Sequence, residues 1–301
     1  QHLKTSGVNI ISIPNKEIEG ILAYHNATAN MVLSGQAQQT TKEKIREYLS
    51  RKLAKLSPDF VIYWESCVEQ LYEIFPNAIF LEGSHSGFWT LEQNVDVLYN
   101  VSTPSVRYAD VFFNEVTNTE LTSKDREDIT AFRSAFKEHV LFQTQLNREY
   151  LDPEHRFKHL VLYAGNFPSM RFKAYSGFAS NSAFVQHLLQ ILPEDCAIVY
   201  SKHHLDNISE DFFLEQNPRV INLAALRKED ANITLRAMPF VDAVVNIYSN
   251  VFMPSMTIGV PVFSFGSSPN AKFCLSNLEE LPQWLNNGKM VPEEYTQLCN
   301  K

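Results

Sequence analysis

Residues 202–204 read Lys-His-His and follow, after Ser201, an apolar run, Cys-Ala-Ile-Val-Tyr, at 196–200. A lysine supplies a compact positive charge and an imidazole a directional donor, so Lys202, His203 and His204 could hold the phosphate or ribose of a nucleotide. The plainer reading is that one histidine caps a helix and the other faces solvent. Ser249 and Asn250 follow a second apolar run, at 242–247, and stand before a helical stretch. Both are good N-caps, and the free N–H groups of a helix start attract phosphate whether or not a side chain caps them. Glu82, Ser84, His85 and Ser86 crowd around Gly83 and Gly87 after a third run at 78–81. A carboxylate in such a loop can take the proton of an attacking hydroxyl, which makes Glu82 the first choice for a general base, with the His85 imidazole beside it. The alternative is a glycine-rich turn whose Glu82 pairs with a surface cation. Asn166 lies in Gly-Asn-Phe-Pro-Ser after a fourth run at 158–164. An amide there can serve neither as a carboxylate nucleophile nor as a base; Asp152 or Asp110 could supply a carboxylate instead.

These residues share one trait: each follows an apolar run that reads as a buried strand. In the second half the runs fall at 158–164, 196–200, 219–223, 242–247 and 261–265, with a helical face of Phe184, Leu188 and Ile191 in 181–192. Strands separated by helical stretches predict a parallel sheet covered on both faces. In open sheets of this kind ligands bind beyond the carboxyl ends of the strands. The first half has a looser version of the same rhythm. Thr40 and Glu43 form a capping-box pattern before a stripe of Ile45, Leu49, Leu53 and Leu56. Strands are expected at 59–64 and 78–81, a helix at 65–75, and a long amphipathic helix at 123–146. The stretch 147–157 is the expected crossover between a domain of residues 1–150 and one of residues 151–301.

The order of a strand with Lys-x-His after it, a strand, a serine-led helix, Gly-Val-Pro-Val at 259–262, a strand and Phe265-Gly266 resembles the donor domain of glycosyltransferases with the B-type fold. More narrowly it looks like the bacterial capsule and lipopolysaccharide enzymes that use CMP-activated acids, the CMP-Kdo transferases of the retaining beta-Kdo type. The resemblance covers about a third of the chain well. It implies an α/β fold of two Rossmann-like domains with the active site in the cleft between them, the first domain acceptor-side and the second donor-binding. Lys202, His203 and His204 would stand for the family's Lys-x-His-Pro motif, with Leu205 where proline is usual. Ser249 and Asn250 would stand for its Ser-Ser pair, with Asn250 in place of one serine. Glu82 would be the acceptor base, and Asn166 occupies the place where the family's carboxylate nucleophile is expected. The implied reaction moves a sugar, best Kdo from CMP-Kdo, onto a surface polysaccharide or lipopolysaccharide acceptor. A sialyl- or pyruvyl-type transferase, or a non-catalytic nucleotide- or polysaccharide-binding module, are the alternatives.

Composition narrows the partners. The chain has 301 residues, 45% hydrophobic and 20% charged, and a formal net charge of -8. That is ample for a sizeable core and unsuited to broad binding of nucleic acid, which needs a positive surface. The partners expected are a nucleotide sugar, CMP-linked, and a glycan or glycolipid acceptor. No cofactor is expected, and no metal, since the Asp-x-Asp pair of metal-dependent sugar transferases is absent. The motifs of dinucleotide oxidoreductases, P-loop kinases and serine hydrolases are absent as well. Cys67, Cys196, Cys274 and Cys299 are scattered, as suits a reducing compartment. The expected place is the cytoplasm, with the inner face of the cytoplasmic membrane as a variant. Because the chain begins with Gln1, a trimmed chain or one module of a larger protein is also expected.

Overall fold

The computed structural model describes residues 20–21, 39–56, 62–64, 79–83, 99–102, 114–142, 146–166, 170–203, 206, 214, 216–226, 233–266, 269–287 and 290–300. Contacts divide the chain into two units, one of Gln1–Gly83 with Tyr99–Ser105, the other of Ser84–Leu98 with Val106–Lys301.

In the first unit, helix α1 (Gln39–Leu56) buries Ile45, Leu49 and Leu53 of the stripe the sequence predicts and leaves Leu56 half-buried. It begins at Gln39, ahead of the expected cap, so Thr40 and Glu43 are helical and Glu43 accepts a bond from the Gln39 side chain at 3.3 Å. A three-stranded sheet runs β1 (Ile62–Trp64), β2 (Ile79–Gly83), β3 (Tyr99–Ser102), with β1 parallel and β3 antiparallel to β2. The expected helix at 65–75 lies outside the described residues.

In the second unit, helix α2 (Ser123–Phe142) is capped reciprocally. Asp125 takes bonds from the Thr122 hydroxyl (2.7 Å) and N–H (2.8 Å), and the Asp125 N–H returns one to the hydroxyl. Next come α3 (Arg148–Leu151), β4 (His159–Ala164), α4 (Met170–Ser176), α5 (Asn181–Ile191) and β5 (Cys196–Ser201). Then follow β6 (Val220–Asn222), α6 (Leu223–Leu226), α7 (Ile233–Ala237), β7 (Ala243–Asn246), α8 (Phe252–Ile258), β8 (Val262–Ser264), β9 (Ser276–Asn277), α9 (Leu281–Asn286) and α10 (Glu293–Cys299). Strands β4 to β9 form one parallel sheet in the order β6-β5-β4-β7-β8-β9.

Every residue of β4 is buried, because side chains alternate between two covered faces. Leu160, Leu162 and Ala164 join one core with Phe136 and Val140 of α2, Met256 and Ile258 of α8, and Tyr295 of α10. Val161 and Tyr163 join the other with Phe172, Phe184, Leu188, Leu281 and Leu285. The long helix α2, expected within the first 150 residues, therefore packs into the core of the second unit. Arg133 fixes it there: its guanidinium donates to the Thr257 carbonyl (2.8 Å), the Met256 carbonyl (3.3 Å) and the Asn300 side chain. Those carbonyls end α8, where a cation also complements the helix dipole.

The amino edge of the sheet is closed by an ionic cluster. Asp242 accepts from the Leu160 N–H at 2.8 Å and from Arg148 at 3.3 Å, and His159 stands 3.8 Å from it. Asp152, weighed from sequence as a spare carboxylate, belongs to this end. It is buried and takes the N–H groups of Arg156 (3.1 Å) and Phe157 (2.8 Å), so it fixes the turn into β4. Asp110 lies outside the described residues.

Candidate functional site

Numbered from β4, the sheet order is 3-2-1-4-5-6, the doubly wound order in which the chain reverses direction between the first and fourth strands. Loops diverge at that reversal and leave a crevice at the carboxyl ends of the two central strands. Here those strands are β4 and β7, and β5 flanks β4 on the other side. Asn166 follows β4 by two residues, Lys202 and His203 follow β5 directly, and Ser249 and Asn250 follow β7 by three and four. Four of the predicted donor-side residues and Asn166 thus stand at the carboxyl ends of three adjacent strands. His204 lies outside the described residues.

The loop after β4 is held at several points. The Gly165 N–H donates to the Ser201 carbonyl at 2.8 Å, tying it to the end of β5. Asn166 is 2% exposed, and its side-chain nitrogen reaches the Ala164 carbonyl at 3.4 Å. Its side-chain oxygen meets no hydrogen-bond partner among the described residues. A buried amide oxygen left bare of partners loses its hydration without return, at a cost of about 1–3 kcal/mol. Lys202 and His203 are half-buried, and the His203 carbonyl accepts the Asp206 N–H at 2.8 Å, turning the chain back after β5. The Ser201 and Thr234 hydroxyls bond to each other and pin the end of β5 to α7.

After β7 the structure departs in detail from the expected helix start. Helix α8 begins at Phe252 with Val251 as its N-cap, and no side chain caps it. Ser249 instead accepts the Val251 N–H at 3.4 Å, a serine turn one step ahead of the helix, and Asn250 is exposed. Asn246, the last residue of β7, is buried, and its amide and the Ser264 hydroxyl lie against the Cys274 thiol. The helix ends at Ile258, with Gly259 as its C-cap in the left-handed region.

An aromatic wall supports these loops. The rings of Tyr175 and Tyr248 meet edge-on at 5.8 Å, linking α4 to the loop after β7. Phe178, Phe184, His187 and Phe265 cluster with centroids 4.9 to 6.3 Å apart. Tyr163 is fully buried, which pushes its hydroxyl's pKa well up and keeps it a donor; the hydroxyl donates a hydrogen bond to the Asn181 side-chain oxygen at 2.6 Å.

The sequence reading missed Asn181 and Arg219. Arg219 donates to four backbone carbonyls, those of Leu189 (3.1 Å), Leu192 (3.0 Å), Pro193 (2.6 Å) and Cys196 (3.0 Å), closing the turn from α5 into β5. In sequence it looks like an exposed charge before a strand.

On the first unit, Glu82 lies within β2, paired with Asn100 of β3, and so belongs to the strand and not to the loop after it. His85 lies outside the described residues. Among the described residues no three His, Cys, Asp or Glu side chains gather to hold a metal, and no helix is long and apolar enough to cross a membrane. Cys196, Cys274 and Cys299 are free thiols.

No family model matches the chain, and no curated protein sequence does. Among solved structures it is similar to Thermosulfurimonas dismutans KpsC, a beta-Kdo 2,7 transferase, with a TM-score of 0.51 and 11% identity over 88% of this chain and 80% of that one. A variant of the wall teichoic acid polymerase TagF gives a TM-score of 0.37 and 16% identity over 84% of this chain and 78% of that one. MnaA of S. aureus, solved with UDP, gives 0.38 and 12% over 95% and 87%. The latter two overlays are too loose to carry an argument. The first bears on the fold alone: with the doubly wound parallel sheet, it shows the chain to be α/β and folded like that transferase.

Proposed function

We propose that the chain is a nucleotide-sugar-dependent, metal-independent glycosyltransferase building a bacterial surface polysaccharide, with CMP-Kdo as donor. The observation that carries this is the placement of Asn166, Lys202, His203 and Ser249 at the carboxyl ends of β4, β5 and β7, around the reversal point of a 3-2-1-4-5-6 sheet. A lysine and an imidazole there suit a phosphate, and Ser249 adds a hydroxyl. The likeness in fold to KpsC, named a beta-Kdo 2,7 transferase, supports the donor class.

In the transfer, a hydroxyl oxygen of the acceptor bonds to the anomeric carbon while that carbon's bond to the phosphate oxygen breaks. CMP leaves with the bonding electrons, and Lys202 and His203 offset the charge gathering on its phosphate. The acceptor's proton passes to a base, for which Glu82 is the proposed group, with His85 near it in sequence.

A second reading, a non-catalytic nucleotide-binding module, is favoured by Asn166 itself. A buried carboxamide stands where a two-step retaining reaction would place a carboxylate. Incubation of the protein with CMP-Kdo and Kdo-terminated oligosaccharides, followed by mass spectrometry, separates the two. Acceptor extended by one Kdo with release of CMP supports the transferase. Unchanged donor and acceptor in the presence of demonstrable CMP binding supports the module.

A further inference from the structure

Asn181 is the first residue of α5, fully buried behind its N-cap Ser180. A carboxamide can make four hydrogen bonds, two at oxygen and two at nitrogen. All four of Asn181's are filled. Its oxygen accepts from the Tyr163 hydroxyl (2.6 Å) and the Asn166 N–H (3.0 Å). Its nitrogen donates to the Asn166 carbonyl (2.7 Å) and the Asp206 carboxylate (2.6 Å). The partners fix which end is oxygen, because a turned amide would set its nitrogen against an N–H and its oxygen against a carbonyl and a carboxylate.

The amide therefore grips both backbone groups of Asn166, as a neighbouring strand would, and so sets the direction in which the Asn166 side chain leaves the sheet edge. Through Asp206, whose N–H closes on the His203 carbonyl, it also holds the turn carrying Lys202 and His203. One side chain thus joins the loops after the first and second strands of the donor sheet. A polar network this buried and this completely satisfied specifies one geometry, since any alternative leaves a buried polar group bare.

We propose that Asn181 is a positioning residue of the nucleotide site, setting the Asn166 and Lys202–His203 loops in one register without itself touching the ligand. The inference rests on the donor-site reading above. It deepens that reading by naming the group that ties its two loops together.

The test uses Asn181→Asp, nearly identical in shape. It replaces two donors by lone pairs facing the Asp206 carboxylate and the Asn166 carbonyl. CMP binding by calorimetry should weaken by about tenfold or more, the loss that goes with a charged hydrogen bond. Adding Asp206→Asn restores an amide donor opposite the new carboxylate and should recover part of that loss. Hydrogen exchange, followed by mass spectrometry, should quicken in peptides containing Asn166 and Asp206 together while β7 and β8 keep their protection. Wild-type affinity in Asn181→Asp, or no gain from the second substitution, overturns the proposal, because a purely structural role changes unfolding and not the affinity of folded protein. Exchange that quickens in only one of the two loops overturns their coupling. If the wild-type protein binds no CMP, the donor reading falls and takes the functional role of Asn181 with it; the exchange result still judges the coupling separately.

Discussion

Gly266 sits against Tyr175 so closely that a Cβ on Gly266 would lie 1.9 Å from the Tyr175 carbonyl oxygen. The contact ties the loop after β8 to the end of α4, and the backbone at Gly266 has φ of +77°, in the left-handed region. Both facts demand glycine. Gly266→Ala should lower stability by about 2 kcal/mol or more, read from urea unfolding, since strain and a backbone overlap act together. A fall below about 0.5 kcal/mol, the range of ordinary surface changes, would show that the loop moves freely aside.

Arg133 closes the end of α8 from a helix more than a hundred residues earlier in the chain. Arg133→Met keeps much of the aliphatic stem and removes the three contacts to Met256, Thr257 and Asn300. It should cost about 1–3 kcal/mol in denaturant unfolding. Arg133→Lys should recover only part, because an ammonium lacks the planar fork that reaches several acceptors at once.

With four carbonyls on one guanidinium, Arg219→Lys should itself destabilise by about 1–2 kcal/mol and Arg219→Ala by more. Equal stability of the lysine variant and the wild type would mean that water satisfies these carbonyls.

Burial pushes the Cys274 thiol from its ordinary 9.0 up to about 12, against the smaller opposing pull of Asn246 and Ser264. Burial also raises Tyr295 and Cys299, which pack nearby. Because the folded state keeps protons that the unfolded chain gives up, stability falls as pH rises. The loss from Cys274 begins near pH 9 and continues to about 12, with a slope of about 1.4 kcal/mol per pH unit. Chemical denaturation between pH 8 and 11 should show this decline, and Cys274→Ala should flatten it. Iodoacetamide at pH 8 should leave Cys274 unmodified in the native protein and label it once unfolded.

Much of the second unit was legible because its strands are fully buried and apolar. The runs expected at 158–164, 196–200, 219–223, 242–247 and 261–265 all appear as β4 to β8, with β5 one residue longer than expected and the other four shortened. The two-residue β9 and the four-residue β3 were missed, since neither is long enough to show a period. Asn181 could not be read as a hub, because its four partners come from residues 15 to 25 positions away and only the fold brings them together. The packing of α2 into the second unit was hidden for a similar reason: an amphipathic stripe says that a helix packs, not on which sheet. Ser249 and Asn250 were rightly placed at the end of a strand, but local propensity set the helix start too early.

The central claim, that a nucleotide binds at the carboxyl ends of β4, β5 and β7, is tested most directly by calorimetric titration with CMP, UMP and GDP, repeated on His203→Ala and Lys202→Ala. The account predicts binding selective for CMP, weakened by about tenfold in each variant with unfolding midpoints unchanged. Absence of binding by any of the three nucleotides, or CMP affinity indifferent to both substitutions, would contradict it.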